Sequence, residues 1–156
     1  MSKETTCCFT GHRIVGRDFD FEILYRTVIK LITKRNVDTF ICGGAIGFDT
    51  YAATAVLKAK EAGYNVSLHI YVPCNNQNEK WGDVQKAKYK EILNQADYVD
   101  MVDKPYFDGC MQKRNRKMVD ASAFCCCYYN GLPSGTGQTV KYAQMRGLEI
   151  GNIFNQ

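Results

Sequence analysis

The stretch Thr39-Phe40-Ile41-Cys42-Gly43-Gly44-Ala45-Ile46-Gly47-Phe48-Asp49 constrains this chain more than any other. It reads as a buried strand, a glycine turn and the start of a helix. Gly43, Gly44 and Gly47 let the backbone turn tightly and come close to a ligand, because they carry no side chain. A helix entered from such a turn presents unpaired N–H groups and a partial positive charge, so the turn is a candidate anion holder. Phosphate is the expected guest.

The rest of the chain repeats this alternation. Cys7 to Thr10 reads as a first strand and ends in Gly11-His12-Arg13. Phe21, Leu24, Val28, Leu31 and Ile32 have helical spacing within residues 20–35. Phe48, Tyr51, Ala52, Ala55, Val56 and Ala59 continue as a second helix that stops near Gly63. Val66 to Val72 is a third strand, closed by Pro73, and a polar loop over residues 75–82 carries Gln77 and Trp81. Further helices are expected over residues 84–95, 109–122 and 138–146, the last capped by Gly147. Strands are expected over residues 98–102, 124–129 and 149–154.

Strands alternating with helices predict an α/β, Rossmann-like, doubly wound and mostly parallel sheet with helices on both faces. Ligands of such sheets bind outside the carboxyl ends of the strands, where the strand order reverses. Gly11-His12-Arg13, the glycine turn, the loop after Pro73 and the segment from Asn130 to Thr139 all fall at those ends. At 156 residues, with no linker, repeat or low-complexity stretch, one domain over residues 1–156 is expected.

Composition narrows the function classes. No apolar run approaches a membrane span and the first residues form no signal peptide, so a cytoplasmic protein without a membrane partner is expected. The eight cysteines include Cys7-Cys8 and Cys125-Cys126-Cys127 inside strand-like segments, and no Cys-x-x-Cys occurs. Reduced, buried thiols are expected, with neither disulfides nor a metal site. A formal net charge of +4 suits an anionic small molecule and does not demand nucleic acid.

The candidate site residues admit two readings each. The glycine turn lacks both the dinucleotide Gly-x-Gly-x-x-Gly order and the P-loop Lys-Ser/Thr, so its glycines serve either a phosphate or close helix–strand packing. Asp49, in the first helical turn, either accepts ribose hydroxyls or stabilises the helix start. Ser134-Gly135-Thr136-Gly137-Gln138-Thr139 offers hydroxyls and free N–H groups to phosphate, or is an ordinary capped loop. His12 is a ligand contact or a strand-end tether, and Arg13 offers phosphate a planar fork. Trp81 stacks on a base, closes the pocket or packs in the core. Arg114 and Asn115 face the pocket or, beside Lys113, Arg116 and Lys117, lie on a solvated face.

Taken together, several stretches resemble the YpsA/YoqJ group of the SLOG superfamily, which includes the LOG enzymes and the DprA/Smf DNA-processing proteins. They are Thr10-Gly11-His12-Arg13, the turn from Gly43 to Asp49, Pro73 with Gln77 and Trp81, Met111 with Arg114-Asn115 and Met118-Val119-Asp120, and Ser134-Gly135-Thr136 with Thr139. The resemblance runs over nearly the whole chain. It implies a Rossmann-like fold that binds nucleotides or nucleotide-derived ligands, with no cofactor required. Related SLOG domains are thought to sense ADP-ribose-like or NAD-derived signals, including in antiphage defence, and chains of this group occur in phage genomes. The resemblance therefore implies a binder of ADP-ribose or a cyclic ADP-ribose-type signal, acting as a sponge for a defence messenger. A homo-oligomer is expected, because SLOG relatives often assemble.

The ligand contacts expected from the residues and the resemblance are Thr10, Gly11, His12, Arg13, Gly43, Gly44, Ala45, Gly47, Asp49, Pro73, Gln77, Trp81, Arg114, Asn115, Asn130, Ser134, Gly135, Thr136 and Thr139. No catalytic residue is expected. The LOG motif Gly-Gly-x-Gly-Thr-x-x-Glu falls on residues 134–141 and puts Lys141 where the catalytic glutamate stands. An ammonium cannot supply that carboxylate chemistry. Two alternatives stay open. A nucleotide N-glycosidic hydrolase would need Asp49, Asp97 or Glu79 as its acid or base. A DprA-like single-stranded DNA binder would use Lys86, Lys88, Lys90 and the Lys113–Lys117 cluster.

Overall fold

The expected alternation is realised along the chain. The computed structural model describes residues 1–154, so the last two residues of the expected 1–156 domain lie outside the described part. A short 3-10 turn leads into β1 (Thr6–Gly11), followed by α1 (Phe21–Arg35), β2 (Thr39–Cys42), α2 (Phe48–Glu61), β3 (Ser67–Val72) and α3 (Asp83–Gln95). Then come β4 (Tyr98–Met101), α4 (Cys110–Asp120), β5 (Phe124–Tyr128), α5 (Gly135–Met145) and β6 (Glu149–Asn152). Among the described residues, none of these helices is long and apolar enough to cross a membrane.

The six strands form one parallel sheet in the order β4-β3-β2-β1-β5-β6. The order reverses at β1, which pairs with β2 on one side and β5 on the other. That is the switch point at which open α/β sheets bind ligands. Period-two alternation sorts the strand side chains between two cores. Cys7, Phe9, Phe40, Cys42, Cys126 and Tyr128 join the core beneath α1 and α2. Cys8, Ile41, Cys125 and Cys127 join the core beneath α4 and α5. All eight cysteines are buried free thiols. Burial pushes the Cys7 and Cys42 thiols well above their ordinary range, so they pack as small apolar groups and are poor nucleophiles.

Among the boundaries that shift from expectation are the start of α5 and the end of β6. α5 begins at Gly135 and not at Gln138, because the Ser134 hydroxyl accepts the Gly137 N–H at 3.0 Å and caps the helix. Two glycines and a threonine within four residues hide that helical turn from a propensity argument. β6 ends at Asn152 and not at residue 154, yet Ile153 and Phe154 still pack on the first core.

The glycine turn is joined to β1 by geometry that only glycine satisfies. Gly47 has φ +82°, and a Cβ there would lie 2.1 Å from the Arg13 carbonyl oxygen. Directly after it, the Phe48 N–H donates to the His12 carbonyl at 3.1 Å. The Phe48 ring is fully buried and stacks on Tyr128 at 6.0 Å. Burying that ring contributes roughly 2–3 kcal/mol. Gly47→Ala is therefore expected to lower stability in urea unfolding by about 2–4 kcal/mol, from the left-handed backbone and the overlap together. Gly151→Ala, with open space around its Cβ and no positive φ, is the control and should leave stability within about 0.5 kcal/mol.

Candidate functional site

The loops at the carboxyl ends of β1, β2, β3 and β5 converge with α4 and the start of α5 on one cavity of about 340 Å³. Thr10, Gly11, His12 and Arg13 enter its wall from the end of β1, and Ala45 and Asp49 from the glycine turn. Gln77 and Trp81 come from the loop after β3, Arg114 and Asn115 from α4, and Ser134, Gly135 and Thr136 from α5. Segments more than a hundred residues apart along the chain thus share one hollow. Gly43, Gly44, Gly47, Pro73, Asn130 and Thr139 are not part of that wall. Gly47 packs on β1, and Pro73 is buried where β3 ends. The Asn130 N–H donates to His12 Nε2 at 3.0 Å, and the Thr139 hydroxyl donates to the Gly135 carbonyl at 3.1 Å.

Arg114 is the organising side chain. It is only 8% exposed, although Lys113, Arg116 and Lys117 beside it are on the surface. Its Nη1 donates to the Gly43 carbonyl, to the Tyr71 carbonyl at 3.1 Å and to Gln77 Oε1 at 3.4 Å. Its Nε donates to Asn115 Oδ1 at 2.8 Å. Gln77 Nε2 in turn donates to the Gly44 carbonyl at 3.3 Å. A Cβ on residue 43 would lie 2.6 Å from the guanidinium carbon and 2.9 Å from Asp49 Oδ2, so the two charges face each other across Gly43. Gly43 is the space that the guanidinium fills. Among the described residues, the hydrogen-bond partner of Nη2 is the Met111 sulfur, at 3.7 Å. A thioether is a weak acceptor, so Nη2 keeps donor capacity on the cavity side.

Asp49 accepts the Ala45 N–H at 3.3 Å, and the Gly43 N–H also stabilises its charge. These N–H groups belong to the turn before α2, so Asp49 ties the turn to the helix that follows it, and it also forms part of the cavity wall. Burial raises the Asp49 pKa from 3.8 to about 6, against the opposing pull of Arg114. Desolvation likewise lowers the Arg114 pKa, with Asp49 opposing that shift.

The start of α5 is arranged differently. The first N–H groups of the helix, at Gly135 and Thr136, have no acceptor within it. Thr136 and Thr10 are 9% and 7% exposed, and neither hydroxyl makes a hydrogen bond among the described residues. Both line the cavity. Arg13 is exposed at the mouth, with no hydrogen bond or ion pair among the described residues. The wall therefore offers an incoming oxygen-rich anion two sheltered hydroxyls, helix N–H groups and guanidinium donors.

Among the alternative acids, Asp97 lies elsewhere. It binds Lys60 Nζ at 2.6 Å and accepts the Leu68 N–H at 2.8 Å, at the amino end of the sheet. Lys141 is exposed on α5 and is not part of the cavity wall. Glu79 lines an adjoining chamber. Sequence reasoning missed Phe9, at the cavity floor, and Tyr106, in that chamber. Phe9 reads as plain core. Tyr106 sits in a short loop without periodicity, and its one signal is its place after β4.

The Asp49 pKa has a stability consequence with a definite sign. A carboxyl that titrates higher in the folded chain holds its proton where the unfolded chain has lost it, so its contribution falls as pH rises. Wild type minus Asp49→Asn stability, from urea unfolding, should drop by on the order of 2–3 kcal/mol as pH rises from about 4 to about 6. A difference that stays constant with pH contradicts the assignment.

Comparison with known proteins agrees with the fold. The family model described as the YspA SLOG family matches residues 21–148. The SPbeta prophage-derived protein YoqJ of Bacillus subtilis is 35% identical over 133 residues, covering 78% of both chains. A UPF0398 protein of Halalkalibacterium halodurans is 30% identical over 142 residues, covering 87% of this chain and 72% of its own. Among solved structures, DNA processing protein A from Helicobacter pylori, described for its single-stranded DNA binding mode, superposes with a TM-score of 0.69 at 18% identity. DprA from Streptococcus pneumoniae gives 0.64, also at 18% identity. The chain aligns over 95% and 97% of its own length but spans only 64% and 52% of those two chains. With most of its length matched by the family model and close to four-fifths aligned to YoqJ, this chain belongs to the YpsA family of SLOG proteins.

Proposed function

We propose that this protein binds a nucleotide-derived small ligand of the ADP-ribose or NAD-derived class, with ligand phosphate in the cavity between Arg114 and the start of α5. One observation carries the reading. Thr10, Thr136 and Arg114 Nη2 are sheltered donors without an adequate protein acceptor, and they line the same 340 Å³ hollow. Several spare donors open to one hollow favour an acceptor-rich guest. The glycine turn contributes indirectly. Its N–H groups hold Asp49, and its Gly43 carbonyl fixes Arg114.

The ligand is held and not cleaved. Asp49, the one carboxylate in the cavity wall, is engaged by backbone N–H groups and faces a guanidinium. Similarity to a prophage-derived relative supports the further reading that the protein sequesters a defence messenger in the cytoplasm, as a homo-oligomer.

Single-stranded DNA binding is the second reading, favoured by the backbone similarity to DprA. The charges it would use are divided. Lys88 pairs with Glu91 on α3, Lys117 pairs with Asp100, and the Arg116 guanidinium lies over the Tyr142 ring at 5.4 Å. α3 and α4 pack on opposite faces of the sheet.

Calorimetry separates the readings. ADP-ribose, NAD or cyclic ADP-ribose should give saturable heat, and the ligand should be recovered intact after denaturation. Arg114→Met should weaken binding by at least about tenfold, the value of a lost charged hydrogen bond. No heat from any of the three, together with oligonucleotide binding that falls steeply with salt, would transfer the assignment to DNA.

A further inference from the structure

The cavity has a larger neighbour of about 580 Å³, within the range of small-molecule sites. Arg13, Gln77, Trp81 and Met111 belong to both walls, so the two spaces adjoin. Their chemistry differs. The first offers hydroxyls, N–H groups and a guanidinium. The second carries two aromatic residues, Trp81 and Tyr106, among polar neighbours that include Asn76, Glu79, Lys80 and Gln85.

Both aromatic residues are held in place. The Trp81 N–H donates to the Asn78 carbonyl at 3.1 Å, and the indole stands edge-on to the buried Tyr89 ring at 5.2 Å. Tyr89 hydroxyl and Gln77 Nε2 are 3.5 Å apart, which ties the indole's support to the Arg114 network. The Tyr106 N–H donates to Asn76 Oδ1 at 2.8 Å. The residue is nonetheless 58% exposed, and its ring meets no other ring among the described residues. A large aromatic on a pinned backbone, with a bare face beside an anion cleft, is suited to stacking a planar heterocycle.

We propose that this chamber is a base-binding subsite, which receives the heterocycle of a ligand whose phosphates occupy the adjoining cleft. Trp81 and Tyr106 supply the stacking surfaces, and Arg13 stands at the junction. The assignment rests on the phosphate reading above and narrows it. The preferred ligand carries both a base and phosphate, so a sugar phosphate or free pyrophosphate fills only half of the site.

Trp81 is the only tryptophan and stands where the two spaces meet, so its emission reports on that junction. Tryptophan fluorescence and calorimetry are run in parallel with ADP-ribose, ribose 5-phosphate and inorganic pyrophosphate. ADP-ribose should change the Trp81 emission saturably, at the same concentrations that give heat. Pyrophosphate and ribose 5-phosphate should give heat with a smaller emission change than ADP-ribose. By calorimetry, Tyr106→Ala, at a residue that lines the second chamber and not the phosphate cavity, should weaken ADP-ribose at least about tenfold and leave pyrophosphate within about twofold. Trp81→Ala, at the junction, should weaken ADP-ribose more than pyrophosphate. Heat from ADP-ribose with unchanged emission overturns the base subsite and leaves the phosphate reading standing. So does unchanged ADP-ribose binding in both variants, or equal loss of ADP-ribose and pyrophosphate in Tyr106→Ala. No heat from any of the three probes removes both assignments.

Discussion

One buried cation ties the functional end of this sheet together. The Arg114 guanidinium reaches from α4 to the turn after β2, the end of β3 and the loop that carries Gln77 and Trp81. Taking a guanidinium out of water is expensive, and here carbonyl oxygens and the facing Asp49 carboxylate offset that cost. The position of each loop therefore depends on the same group. Gly43 is required by this arrangement, because any side chain there would take the space of the guanidinium.

The two glycine-containing helix starts, alike in sequence, are used in opposite ways. In the turn before α2 the Ala45 and Gly43 N–H groups are already occupied by Asp49, so the turn behaves as a cradle with its own anion built in. At α5 the Ser134 hydroxyl satisfies one N–H, while Gly135 and Thr136 remain at the cavity wall with no carboxylate hydrogen-bonded to them among the described residues. An external anion thus meets a filled cradle on one side and an open one on the other. His12 links the two, its carbonyl accepting from Phe48 and its Nε2 from Asn130.

Much of this arrangement was legible in the sequence. The apolar alternation in Cys7–Phe9, Phe40–Cys42 and Cys125–Tyr128 marks strands covered on both faces, and the switch-point rule then brings Thr10 and Thr136 to one rim. What stayed hidden depends on side-chain direction. Arg114 sits among Lys113, Arg116 and Lys117, and charge pattern alone does not distinguish an inward guanidinium from three outward ones. Asp49 reads equally well as a ligand acceptor or as the turn's own anion, because both roles require an acid in the first helical turn. The opening of α5 was obscured by glycines whose low propensity is overridden by a serine cap.

The account stands or falls on where a phosphate comes to rest. A crystal structure of the protein grown with ADP-ribose tests this most directly. The account predicts phosphate oxygens within hydrogen-bonding distance of Arg114 Nη2 and of the Thr136 hydroxyl and N–H, with Asp49 still bound to the Ala45 N–H. Phosphate seated on the N–H groups of the glycine turn, with Asp49 displaced, would contradict it.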